Sequence, residues 1–173
     1  MSKYYYSTNG NGKTHDNKFN PFKDGDVAEA PDWDPHPSIA CGNALHIVSD
    51  NPIKALKYVG RTDPVYYEVK PQDRLPCING KYRCRALTRI RKLGVREIRA
   101  FIVKASESRD VELRAAAAED PRVTLATLRK LVKDRSERVQ FYAERELNRR
   151  VRAAKRKRNK EVCNEQKASG EGS

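Results

Sequence analysis

A period of two marks the middle of the chain, and a helical period marks its second half. In "PVYYEVKP", residues 64–71, Val65, Tyr67 and Val69 alternate against Tyr66 and Glu68, which predicts a strand. Ala44–Val48 reads as a shorter, buried strand. Between them lies "SDNPIKALKYVG", with Ile53, Leu56 and Tyr58–Val59 at helical spacing. Ser49 or Asp50 is the expected cap of this helix, Pro52 suits its first turn and Gly60 stops it. Residues 75–91, "LPCINGKYRCRALTRIR", hold Asn79–Gly80 between two β-prone flanks, a hairpin signal. After that turn Tyr82, Cys84, Ala86, Thr88 and Ile90 share one face, and Arg83, Arg85, Leu87, Arg89 and Arg91 share the other. Four arginines on one side of a strand, about 7 Å apart at successive same-face positions, would repel unless solvated or occupied by anions.

From residue 95 four helices are expected, in "VREIRAFIVKAS", "SRDVELRAAAAED", "PRVTLATLRKLVKD" and "SERVQFYAERELNRRVRAAKRKRNKEV". Asp110 caps the second, and Pro121 opens the third. The second and fourth repeat one another. "ELRAAAAED" at 112–120 aligns with "RVQFYAERE" at 138–146, matching Leu113 to Val139 and Ala117 to Ala143 at an offset of 26 residues. A period in this range is the mark of a helical-repeat array.

The two ends are less regular. Residues 1–26 are expected to form a flexible or strand-forming arm, with Tyr4–Tyr5–Tyr6 as its strand candidate. Residues 27–38 contain Pro31, Pro35 and Pro37 and should run extended and irregular, with Trp33 anchoring them to the core. Residues 161–173 are expected to be a disordered tail, preceded by fraying of the last helix.

Charge changes this picture. The chain has 173 residues and a formal net charge of +13. Residues 1–84 carry 11 Lys/Arg against 10 Asp/Glu, whereas residues 85–160 carry 24 against 10. The eight basic residues between Arg149 and Lys160 have no acid among them. A basic module of this kind usually meets a polyanion. No apolar run approaches the roughly 20 residues of a membrane span, and the first residues lack a signal-peptide core, so a cytoplasmic protein is expected. Cys41, Cys77, Cys84 and Cys163 show no disulfide-framework spacing, and reduced thiols are the default.

Two segments carry resemblances. Trp33–Asp34–Pro35 followed by Cys41–Gly42–Asn43–Ala44–Leu45–His46, a helix and a strand resembles an uncharacterised domain of bacteriophage proteins, over about residues 20–95. That domain carries Cys-Gly-x-Gly-Leu-His, and Ala44 stands where it has the second glycine. The resemblance implies phage origin and no specific chemistry. "DVELRAAAAEDPRVTLATLRKLVKDRSERVQFYAERE" resembles the variant leucine-rich or HEAT-like repeats, over about residues 105–147, which implies an interaction surface. The clustered cysteines that an iron–sulfur cluster would need are absent from that segment.

Cys41 and His46 invite a nucleophile–base pair, but five residues apart around a turn guarantees no contact, and no third group orients them. His36, Cys41, His46, Cys77 and Cys84 are the nearest approach to a zinc set; none of their spacings is Cys-x-x-Cys, so no metal is expected. In the simplest reading the motif defines a fold, with Cys41 a small buried hydrophobe and Gly42 at a special backbone angle. The strand–helix–strand around "DNPIKALKYV" also resembles ADP-ribosyltransferase-like folds, without their catalytic motif. No P-loop and no Gly-rich dinucleotide turn is present.

These patterns add up to an α+β protein: a small antiparallel sheet domain with one helix (27–94), then a basic helical module (95–160). A non-enzymatic, phage-encoded protein is expected, binding nucleic acid or a host nucleoprotein, with no cofactor. Arg83, Arg85, Arg89 and Arg91 would form one phosphate-contacting strip, and Arg149, Arg150, Arg152, Lys155, Arg156, Lys157 and Arg158 another. One concrete form is an inhibitor of a bacterial defence complex, such as an anti-CRISPR protein acting on guide RNA or target DNA. The alternatives are an ADP-ribosyltransferase-like enzyme and a host-takeover or virion-associated protein.

Overall fold

The computed structural model describes residues 2–14, 20–23, 25–31, 33–36, 44–58, 63–77 and 81–170. Among them seven strands form one antiparallel sheet: β1 (Tyr4–Thr8), β2 (Val27–Glu29), β3 (Leu45–Ser49), β4 (Val65–Gln72), β5 (Leu75–Pro76), β6 (Lys81–Cys84) and β7 (Ala86–Lys92). Four helices follow: α1 (Val95–Ser106), α2 (Val111–Glu119), α3 (Leu125–Leu131) and α4 (Glu137–Gly170). The fold is α+β.

The strand order is β2-β7-β4-β1-β3-β6-β5. The tyrosine triplet therefore lies in the centre of the sheet, between β4 and β3. Its alternation explains why: Tyr5 faces the helices with Tyr66, while Tyr6 faces a second core with Tyr67 and Val69. Only Arg85 separates β6 from β7, although β3, β1 and β4 lie between them in the sheet. Two peptide steps reach about 7 Å at most. The sheet is therefore curled until its two sides meet at Arg85. Its inner face encloses Tyr6, Ala28, Leu45, Ile47, Val69, Cys84 and Leu87, with Phe22 and Trp33 packed against them.

The segment between β3 and β4 is a 3-10 helix, Pro52–Tyr58. Its cap is Asn51 rather than Ser49 or Asp50. The Asn51 Oδ1 accepts from the Ile53 amide at 3.0 Å, and its amide donates to the Phe101 carbonyl of α1. Asp50 instead takes a left-handed φ of 67°. A cap that reaches into α1 shows how closely the halves are joined. One cluster of buried residues runs from Tyr5, Val48, Ile53 and Tyr66 through Ile98, Ile102, Leu113, Leu128 and Val139. At its centre the Tyr66 hydroxyl donates to Asp120 at 2.9 Å, and Arg122 binds the same carboxylate.

The helices repeat in space as well as in sequence. Glu112 of α2 pairs with Arg138 of α4, and Glu119 with Arg145, each 26 residues on. Arg114 donates to the Ser108 carbonyl, and Gln140, its counterpart, donates to the Asp134 carbonyl. The Asp110 amide binds the Ser108 hydroxyl, as the Ser136 amide binds the Asp134 carboxylate. Buried Ile102 and Ala105 of α1 correspond to buried Leu128 and Leu131 of α3. Two full α–α repeats are present, α1–α2 and α3–α4. Asp110 caps α2 as its sequence implies. Pro121 does not open α3: Thr124 caps it, accepting from the Thr127 amide at 3.1 Å, and Pro121 sits in the preceding turn.

The last helix runs through the stretch expected to fray and on into the expected disordered tail, as far as Gly170. No Gly or Pro interrupts residues 137–169, and Lys157 lies 3.9 Å from Glu161 one turn on. Among the described residues no helix is long and apolar enough to cross a membrane.

Candidate nucleic-acid interface

The four strand arginines do not form a strip. Arg83 is 1% exposed, and its guanidinium donates to the carbonyls of Asp34, Pro35 and His36. It fastens the Trp-Asp-Pro segment to β6, with Trp33 beside it at 5.8 Å. Arg85 sits at the corner between two strands and binds Asp73 at 2.6 Å. Arg89 binds Asp26 at 2.7 Å and covers the Phe22 ring at 5.2 Å. Arg91 binds Glu68 and Glu97.

A bulge breaks the expected alternation. Arg91 opposes Glu68 and Arg89 opposes Val69, which leaves Ile90 without a partner across the ladder. Arg89 therefore lies on the side of Phe22 and Tyr67, and Arg91 on the side of α1. Hydrogen bonding to Arg91, then to the Gly94 amide, holds the Glu97 carboxyl below its ordinary range. These arginines spend their charge on neighbouring acids of the same molecule.

The α4 cluster divides in two. Arg150 is tied down: it donates to Glu146 at 2.7 Å and to the carbonyls of Val123 and Pro121 at 2.8 and 3.0 Å. Arg149 also binds Glu146, but 62% of its side chain stays exposed. Burial pushes the Glu146 carboxyl up, and the bonds from these two arginines outweigh it, holding the group below the usual range. Beyond this point every residue from Val151 to Glu161 is exposed. Among the described residues Arg152, Lys155, Arg156 and Arg158 face no acidic partner, and Lys157 has only the distant Glu161. This half of α4 leaves the repeats behind and stands in solvent.

Toward the base of the projection an open groove of about 840 Å³ runs along α4, lined by Phe141, Glu144, Arg145, Asn148, Arg152 and Arg156 among others. Phe141, Arg145 and Asn148 carried no signal as site residues. Their only trace in the sequence is the 26-residue offset, which sets Phe141 against Ala115.

The candidate chemical residues are placed as follows. Cys41, Gly42 and Asn43 lie outside the described residues, as do Asn79–Gly80 and Gly60. Cys84 is fully buried; burial pushes its thiol up to about 12, and the thiol donates to the Leu45 carbonyl. It packs as a hydrophobe. His46 sits directly across from Arg83. Burial first, then the charges of Lys81 and Arg83, lower its pKa to about 4, so the imidazole is neutral near pH 7. Among the described residues its Nε2 is buried without a hydrogen-bond partner. Among the described residues no three His, Cys, Asp or Glu side chains are arranged to hold a metal ion.

Comparison of the chain with protein-family models, with curated proteins and with solved structures finds no match. The functional reading rests on the geometry of the chain itself.

Proposed function

We propose that this protein binds nucleic acid, free or within a nucleoprotein, through the projecting basic half of α4. One observation carries the reading: Arg152, Lys155, Arg156 and Arg158 stand exposed on a helix that has left the packed repeats, with no acid of the described residues beside them. Four uncompensated cations within two turns repel one another, and a polyanion removes that repulsion while releasing its own counterions. The half-exposed arginines of β7 have no such need, because Asp26, Glu68 and Glu97 neutralise them.

With the bacteriophage resemblance of residues 20–95, the reading takes a concrete form. The sheet would present α4 to a nucleoprotein in the bacterial cytoplasm, a defence complex that carries guide RNA being one such target.

The test is fluorescence anisotropy of labelled RNA and DNA oligonucleotides against the full chain, titrated at several salt concentrations. Binding whose log affinity falls by about 0.7–0.9 per contacted phosphate with log salt is expected. Absence of binding to both polymers at low salt would overturn the reading. A pull-down from bacterial lysate, divided into nuclease-treated and untreated halves, then separates a nucleic-acid target from a protein surface.

A further inference from the structure

Among the described residues α4 is the last helix, and no further helix covers its outer face. A terminal repeat keeps such a face polar, since no further repeat covers it. On α4 the large exposed hydrophobics are Val151 and one aromatic residue, Phe141. Phe141 is 57% exposed, although its counterpart one repeat earlier, Ala115, is 3% exposed beneath its neighbours. A ring has replaced a methyl group at the position where no packing requires one.

The ring is held in place. Tyr142 meets it edge-on, with centroids 5.5 Å apart and planes at 68°, and the Arg145 guanidinium lies 5.7 Å from its centroid. Arg145, the adjacent Asn148 and Arg149, Arg152 and Arg156 then follow at successive turns, so they share one side of the helix with Phe141, and Glu144 lies on that side as well. From Arg145 to Arg156 that row covers about 16 Å. The Asn148 amide supplies a donor and an acceptor within the row.

Charge and shape together select the occupant. A second copy of this face would set four arginines against four, with the single acid Glu144 of each to offset them. A protein helix would find only Phe141 and Ala153 as apolar contacts in the groove. A nucleic-acid strand supplies a base for the ring and phosphates for Arg152 and Arg156, which have no acidic partner among the described residues, whereas Arg145 and Arg149 already pair with Glu119 and Glu146. In a duplex the faces of the bases are already covered by their neighbours, so the ring can stack only on an unpaired base.

We infer that Phe141 and the arginine row beside it form a platform for single-stranded nucleic acid, with a base on the ring and the backbone along Arg145–Arg156. This rests on the nucleic-acid reading above and narrows it to unpaired strands.

The test compares an RNA of about 12 nucleotides, labelled and unstructured, with the same length of duplex, against the full chain and its Phe141 variants. Wild type is expected to favour the single strand. Phe141→Ala should weaken single-strand binding on the order of tenfold, leave duplex binding unchanged and keep the slope against log salt. Phe141→Leu retains apolar volume without a π face and should behave like Phe141→Ala, whereas Phe141→Tyr should restore binding. Equal affinity for both forms, unmoved by Phe141→Ala, overturns the platform and leaves nucleic-acid binding standing. No binding of either form at low salt overturns both. Full rescue by Phe141→Leu, or capture of an acidic protein that survives nuclease and needs Phe141, also overturns the platform.

Discussion

Strands β6 and β7 and helix α4 each present a run of arginines, and the two runs meet opposite fates. On β7 a cross-strand neighbour lies about 5 Å away, and the one opposite Arg91 is an acid, Glu68. Glu68, Asp26 and the nearby Glu97 take up Arg91 and Arg89, and buried Arg83 is consumed by backbone carbonyls. On the outer half of α4 residues 151–161 are all exposed, and between Arg149 and Lys160 the helix itself holds no acid. The same side chain is a fastener where the chain folds back on itself and a free charge where it does not. Density of arginine alone does not mark a binding surface; the absence of local acids does.

The sharpest way to break this contrast is to neutralise the free charges. Replacing Arg152, Lys155, Arg156, Lys157 and Arg158 together by Gln should lower the slope of log affinity against log salt by about 2–4 and weaken binding at least 100-fold. Glutamine preserves helix propensity, so the unfolding free energy should stay within about 0.5 kcal/mol of wild type, the range expected of surface changes. A large loss of stability would show that the projection is packed rather than free.

The reciprocal change is Arg83→Met. It leaves the carbonyls of Asp34, Pro35 and His36 without their donor and should cost about 3 kcal/mol in urea unfolding. The salt slope of binding should not move. If binding changed and stability did not, Arg83 would belong with the free charges.

His46 lies across from Arg83, so pH should probe the sheet as salt probes α4. Its folded pKa of about 4 is below the unfolded value near 6.5. The unfolded chain therefore binds the extra proton, and stability is complete above pH 6.5 and lost as pH falls toward 4. Allowing for the partial exposure of the ring, the loss is on the order of 2 kcal/mol. Paired melts of wild type and His46→Gln over that interval should show it as a difference that vanishes in the variant.

The smallest effect concerns the ladder between repeats. A double-mutant cycle on Glu119 and Arg145 should give a coupling below about 1 kcal/mol, since the arginine is 43% exposed. Coupling well above that would make the ionic ladder, rather than the alanine packing of α2 on α4, the main restraint on the array.

Much of the fold was legible. The bounds of α1, the alternation of β4, the Asp110 cap and the 26-residue offset all follow from spacing along a few turns or a few residues. The break at Arg85, the bulge at Ile90 and the left-handed Asp50 were not. Each depends on which distant strand or helix lies alongside: β2 and β4 for β7, α1 for the Asn51 cap. A run that reads as one long strand becomes two because its halves pair on opposite sides of a curled sheet.

The candidate site was half legible. The basic run from Arg149 to Lys160 is visible in composition, but the separate roles of Arg150, bound to the α2–α3 turn, and of Arg152, bound to nothing among the described residues, are not. Phe141 was hidden for the same reason. Whether an aromatic residue on an amphipathic helix is core or surface depends on whether another repeat covers it.

By itself the sequence determined the quantities that act over short separations: helical and strand periods, the end of one capping motif, the repeat length and the imbalance of charge between the halves. The tertiary structure alone decided which charges are cancelled, which ring is left uncovered and which strand lies in the centre. Those depend on contacts between residues tens of positions apart, such as Tyr66 with Asp120 and Arg83 with Asp34, and no local pattern encodes a neighbour that the chain reaches only by folding.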